Sequence, residues 1–181
     1  MFKKYLGSLF YFFLKKISFH FLLPSKYSVF FEKLRTYSLV LQGASIGKNT
    51  VVRKNVFIAF PKNLKLGDNV TIGFSSRFYN YSMVTVDDNS ELGPCLHIQT
   101  NDHFYEEINK PIGKQGTFSK AVKIGKGVHI GANVTILQGV IIEDLCVVAS
   151  GSVVNKRITQ GFLYGGVPVK KLQALIPKKN D

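Results

Sequence analysis

From Gln42 onward the aliphatic residues of this chain return at every sixth position, and that period governs every later expectation. The series starting at Ile124 runs Ile124, Ile130, Ile136, Ile142, Val148 and Val154 without a miss. The same register appears earlier as Ile46, Val52, Ile58, then Leu66, Ile72, Phe78, then Val86, Leu92, Ile98. Between these triplets the step lengthens to eight residues (Ile58 to Leu66, Phe78 to Val86) and finally to twenty-six (Ile98 to Ile124). Fifteen rungs therefore fall into five groups of three.

A six-residue unit with one inward aliphatic makes a short strand and a corner. Three units close a triangular coil, and successive coils stack about 4.8 Å apart as parallel strands. The architecture predicted is a mainly β, left-handed parallel β-helix of about five coils, wound against the usual right-handed crossover. Gly125, Gly131 and Ala149 directly follow their rungs, where a corner and a close neighbour favour a small residue. All three lengthened steps should leave the prism at one corner, the longest as a projecting loop over residues 99–121. Each coil buries its rungs only against neighbours, so both ends need caps. Residues 1–42 are expected to form an N-terminal helical cap, residues 43–176 the main domain and 177–181 a tail. A helix over 168–176 should open at Pro168, with Leu172, Leu175 and Ile176 on one side.

The N-terminal segment adds apolar and basic character. Leu6, Leu9, Phe10, Phe13, Leu14 and Ile17 recur at helical spacing, predicting a helix that packs on the domain or lies on an anionic membrane face. Lys15 and Lys16 interrupt Met1–Leu23 before it reaches the roughly 20 apolar residues a bilayer span requires. No small-x-small site follows to suggest a cleaved signal peptide. The formal charge is +13, and the first 35 residues hold seven Lys/Arg against the single acid Glu32. Such a surface attracts phospholipid headgroups, acidic glycans or nucleotide phosphates, whereas no nucleic-acid recognition motif accompanies it. Cys95 and Cys146 form no CxxC pair, so neither a disulfide framework nor a thiolate zinc site is expected, and a cytoplasmic location fits best.

The stretch from Val122 to Leu172, carrying IGKGVHIGANVTILQGVIIEDLCVVASGSVVNKRITQGFLYGGVPVKKL and preceded by Thr100-Asn101-Asp102-His103, resembles the hexapeptide-repeat O-acetyltransferases. It is most similar to the sugar and polysaccharide O-acetyltransferases, which include galactoside and maltose acetyltransferases and enzymes of capsule and O-antigen synthesis. The resemblance covers roughly residues 42 to 176. It implies a homotrimer with acetyl-CoA lying between adjacent prisms, no metal, and a sugar acceptor belonging to a surface polysaccharide or its precursor. His103 is then the implied general base. A sugar hydroxyl is a poor nucleophile at neutral pH, and an imidazole within hydrogen-bond reach supplies about 10²- to 10⁴-fold. Asp102, Glu106 or a backbone carbonyl could orient its ring, and Asp102 is also a candidate contact for substrate or cofactor. The implied cofactor groove takes in Gly131 and Ala132, then Ser150, Asn155 and Lys156 one coil later, with Lys170 meeting CoA phosphates. Narrow side chains would admit the extended arm, backbone N–H groups could stabilise an oxyanion, and ammonium groups would offset phosphate charge.

Two positions depart from the family pattern. His129 stands where the family usually has tryptophan, and Val169 where alanine is common. His129 precedes inward Ile130, so it should face outward as a contact for acceptor or cofactor, or be neutral to the chemistry. His97 precedes Ile98 and reads as a strand residue or an acceptor contact. His97, His103 and His129 also admit comparison with the γ-class carbonic anhydrases and their three-histidine zinc, although the spacing differs. N-acetylation of an amino sugar and a non-catalytic assembly subunit remain open as competing functions. N-acyltransferases of nucleotide-linked sugars often carry an extra N-terminal domain, for which residues 1–42 are too short.

Overall fold

The computed structural model describes residues 25–175, with side chains from Val29 onward. The expected helix over Leu6–Ile17 and the tail 177–181 lie outside the described residues. Five complete coils and a partial sixth form a left-handed parallel β-helix with three faces. The first face stacks Ser45–Ile46, Leu64–Leu66, Val84–Val86, Val122–Ile124 and Ile141–Ile142. The second stacks Val51–Val52, Thr71–Ile72, Glu91–Leu92, His129–Ile130, Val147–Val148 and Phe162–Gly165. The third stacks Phe57–Ile58, Arg77–Tyr79, His97–Gln99, Thr135–Ile136 and Val153–Val154.

Each triplet of rungs is one coil. Leu66 stacks on Ile46, Ile72 on Val52 and Phe78 on Ile58, and the alignment continues to Ile142, Val148 and Val154. Fourteen rungs are buried, the exception being Ile46 in the first coil, which is half-buried. All three insertions leave between the third and first faces, because a strand of the third face precedes every lengthened step. The twenty-six-residue step does not disturb register: Val84, Thr85 and Val86 pair directly with Val122, Lys123 and Ile124.

Corner geometry follows a second rule. Three residues past most rungs the backbone enters the left-handed region, as at Asn49, Asn55, Asn69, Asn89 and Asn133 with φ between 55° and 58°. Asparagine tolerates this conformation better than most non-glycine residues. The Asn49, Asn69 and Asn89 amides also bond down the corner, 3.2 and 2.9 Å apart. The glycines directly after rungs serve close approach instead, since a Cβ on Gly93 would stand 2.6 Å from the Gly131 carbonyl carbon.

The helix Ser25–Leu41 covers the first coil. Val51 and Arg53 donate to the second coil, which leaves the Val52 N–H and C=O as edge groups of the second face. Thr36 Oγ1 accepts the Val52 N–H at 3.1 Å, Arg35 Nε donates to Val52 O at 3.5 Å, and Arg53 pairs with Glu32 at 2.8 Å. Leu39 is fully buried beneath.

At the far end the expected helix over 168–176 is not formed. Lys170–Ala174 is instead a strand, antiparallel to Phe162–Gly165. The physical reason is the open edge left by Phe162–Gly165, whose backbone groups a ladder satisfies and a helix would not. Three apolar residues are too few to offset that demand, and Leu172 is exposed in the strand.

Candidate active site

The twenty-six-residue step is not an open loop. Asn101–His103 pairs antiparallel with Thr117–Ser119, making an arm that projects from the corner between the third and first faces. The Phe104 and Phe118 rings pack 5.0 Å apart along it. Gln115 ties the tip, donating to Glu107 O and Lys110 O and accepting the Glu107 N–H. Its root is fixed by buried Thr100, whose N–H and hydroxyl both reach Tyr79 O, and by the Lys120 N–H on Thr100 O.

His103 lies at the end of the first arm strand with an exposed side chain, opposite Thr117. Side chains alternate along a strand, so Asp102 shares one side of the arm with Phe118 while His103 leaves on the other. Among the described residues the His103 ring has no hydrogen-bond partner, so none of Asp102, Glu106 and a backbone carbonyl orients it within one chain. Asp102 acts on the backbone instead: its Oδ1 accepts the His103 N–H at 2.8 Å, and its Oδ2 accepts Gln138 Nε2 at 3.2 Å. A hollow of about 350 Å³ lined by Phe104, Tyr105, Glu106, Phe118 and Lys120 adjoins the arm.

Gly131, Ala132 and Ser150 meet at the corner between the second and third faces. Ser150 Oγ accepts the Ala132 N–H at 3.0 Å, and the Gly131 N–H is used in the ladder to Val148 O at 2.8 Å. Both N–H groups are therefore occupied, and an oxyanion at Ala132 would first have to displace the Ser150 hydroxyl. Lys170 pairs in register with Gly165, which stacks on Ala149, so its backbone belongs to the same corner one coil further on. Asn155 and Lys156 are exposed but sit at the other edge of the third face, on the arm's corner. The expected cofactor residues thus divide between two corners.

His97 and His129 face outward on different faces. His129 Nδ1 lies 3.5 Å from Glu91 Oε2, one coil above it on the second face. His97 is half-buried on the third face between Arg77 and Thr135, its ring 5.1 Å from that of Tyr79. Burial first, and the Arg77 charge second, hold its pKa below the ordinary imidazole value. Its Nε2 is buried without a hydrogen-bond partner among the described residues. The three histidines considered for zinc stand on two faces and the arm, and do not converge within one chain. Among the described residues no group of three His, Cys, Asp or Glu side chains could hold a metal ion.

Gln138, which donates to Asp102, is not among the residues expected at the site. It was legible: Ile98 and Ile136 are in register, so Gln138 lies one coil below Thr100, directly beneath the arm root.

The six-residue repeat and the three stacked faces define a class, that of the hexapeptide-repeat β-helix proteins. Residues 121–156 match the bacterial transferase hexapeptide model of six repeats. The chain is 31% identical over 125 residues to nodulation protein L of Rhizobium meliloti, covering 69% of this chain and 67% of that one. It is 29% identical to the Escherichia coli galactoside O-acetyltransferase, covering 73% of this chain, and the matched stretch spans 64% of that relative. It is also 29% identical to the putative colanic acid biosynthesis acetyltransferase WcaF of E. coli, over 74% of this chain and 71% of the relative. In fold it follows a hexapeptide-repeat acetyltransferase from Vibrio cholerae solved with acetyl coenzyme A, with TM-score 0.78, 23% identity and coverage of 97% and 88%. The chain belongs to the hexapeptide-repeat acetyltransferase family.

Proposed function

We propose that the protein transfers the acetyl group of acetyl-CoA to a sugar hydroxyl of a surface polysaccharide or its precursor, as a homotrimer whose sites lie between prisms. One observation carries this reading. His103 leaves from one edge of the third face, while Gly131, Ala132, Ser150 and Lys170 gather at the opposite edge of that face. Within one chain base and donor groove stand apart, and a second copy brings the base of one prism to the groove of the next. His103 also points away from the side of the arm that Asp102 turns toward Gln138, hence outward to a neighbour.

In the reaction a His103 ring nitrogen removes the hydroxyl proton as the sugar oxygen attacks the thioester carbonyl carbon. The C–S bond breaks, the acetyl ester forms, and the proton passes to the departing sulfur to give CoA thiol. Lys170 and, from the other corner, Lys156 offset the charge of the CoA phosphates. The relatives named for galactoside and colanic acid acetylation support a carbohydrate acceptor. The lysine pairs and aromatic residues of the first 23 positions would hold the enzyme to an anionic membrane face, where a lipid-carried precursor is met.

The test is release of free thiol from acetyl-CoA with a panel of glycans and sugar precursors, alongside light scattering of the same sample. Acceptor-dependent release by a trimer is expected. No release with any sugar would sink the activity, and a strict monomer that still turns over would remove the interface site. Vesicle co-sedimentation with anionic lipid tests the membrane contact, which salt should weaken.

A further inference from the structure

We infer that Gln138 is a positioning residue for His103, acting through Asp102, an inference that rests on the reading of His103 as the base. The arm is a two-stranded ladder with largely exposed side chains, so what holds its catalytic end is its connection to the prism. Beyond the Thr100 root, two prism side chains reach the first arm strand among the described residues. Gln99 Nε2 donates to Asn101 O at 3.0 Å, and Gln138 Nε2 donates to Asp102 Oδ2 at 3.2 Å. The second matters more for His103. The carboxylate that Gln138 holds is the one whose other oxygen accepts the His103 N–H at 2.8 Å. A single carboxylate thereby joins the fourth coil to the backbone of the histidine, and hydrogen bonds to an ionised acceptor are the stronger kind.

The direction of the link is as important as its strength. By drawing Asp102 toward the prism, Gln138 fixes the rotation of the arm strand, and alternation then sends the His103 ring to the opposite side. Gln138 and Asp102 are both half-buried, so water competes for these bonds less than at the arm tip. Gln138 touches neither His103 nor the donor corner, and its effect is on where the imidazole sits. An error of about 1 Å in placing a catalytic group can cost about 10²-fold.

The experiment uses the full-length protein and two independent readouts. Hydrogen exchange read by mass spectrometry should show residues 101–105 exchanging at least about tenfold faster in Gln138→Ala than in the parent, with the rungs and the melting temperature unchanged. Thiol release from acetyl-CoA, with the best sugar of the panel, should show kcat falling about ten- to a hundredfold and KM for acetyl-CoA unchanged. Gln138→Glu sets two carboxylates against each other at nearly unchanged side-chain volume, so it should lose at least as much as Gln138→Ala in both exchange and kcat, whereas a packing defect would be relieved by the near-isosteric side chain. Asp102→Asn should lose less than Asp102→Ala, because the amide can still accept the His103 N–H and donate to a rotated Gln138. If Gln138→Ala leaves both exchange and kcat at parent values, the inference is wrong. If exchange rises but His103→Ala retains full turnover, the brace stands as a structural element and the assignment of the base fails instead.

Discussion

Gly131 lies so close to Ser150 of the next coil that a Cβ at position 131 would stand 2.6 Å from both the backbone nitrogen and Oγ of Ser150. Ser150 meanwhile accepts the Ala132 N–H, so it is not free to withdraw. Gly131→Ala should therefore strain two coils at once and lower stability by about 1–3 kcal/mol, the range for overpacking a tight site. The measurement is the denaturant midpoint. An unchanged midpoint would mean that this corner is looser than its spacing indicates.

His103→Ala should lower turnover at least about a hundredfold while leaving the melting temperature near the parent value, because the side chain is exposed. His97→Ala should reduce turnover far less. Equal losses at both positions, accompanied by stoichiometric zinc in the purified protein, would favour the three-histidine metal reading.

Leu145 occupies a corner with φ at +52°, a conformation in which an ordinary side chain costs about 1–2 kcal/mol. Its side chain is mostly exposed, so little burial offsets that cost. Leu145→Asn, the residue most often used at the other corners of this chain, should raise stability by about 1 kcal/mol in a thermal or urea melt. A destabilised variant would show that the leucine makes a contact outweighing its strained backbone.

Acidification should weaken the fold in two separate windows. The His97 pKa lies below 6.5 in the folded chain, so the unfolded chain binds its proton first and stability falls as pH drops below about 6.5. His97→Gln should abolish that first decline. Asp88, held low chiefly by the Asp68 N–H and then by Lys126, and Glu143, held low chiefly by the Gln160 N–H and then by Arg157, contribute stability that persists above their ordinary values of 3.8 and 4.5. That contribution is lost on going below those values. Urea midpoints taken from acid to slightly alkaline pH would separate the steps, and a single step confined to the carboxylate range would contradict the role given to His97.

The sequence carried the prism almost completely, because each rung Ile, Val, Leu or Phe has one inward position and any slip would expose it. The grouping into triplets likewise followed from where the steps lengthen. The two ends were harder. Leu172, Leu175 and Ile176 have helical spacing, but what decided the conformation of Lys170–Ala174 was the unpaired edge of Phe162–Gly165, which is a property of the assembled coils and leaves no local trace. The site was legible in its parts more than in its arrangement. The place of His103 on the projecting arm follows from the long step after Ile98, whereas the use of the Ala132 N–H by Ser150 depends on a contact across 18 positions of chain. The left-handed corners are marked by the asparagines three places after the rungs, a signal overshadowed by the glycines.

Because Val84–Val86 meets Val122–Ile124 in unbroken register across the base of the arm, the prism does not record how long its excursion is. Loop-closure entropy rises only logarithmically with length, so lengthening or exchanging residues 101–119 costs little once the two anchoring strands are in place. The scaffold and the reach of its arm can consequently diverge at different rates: one corner is open to insertion and exchange, while the stacked rungs beside it are held to a fixed six-residue spacing.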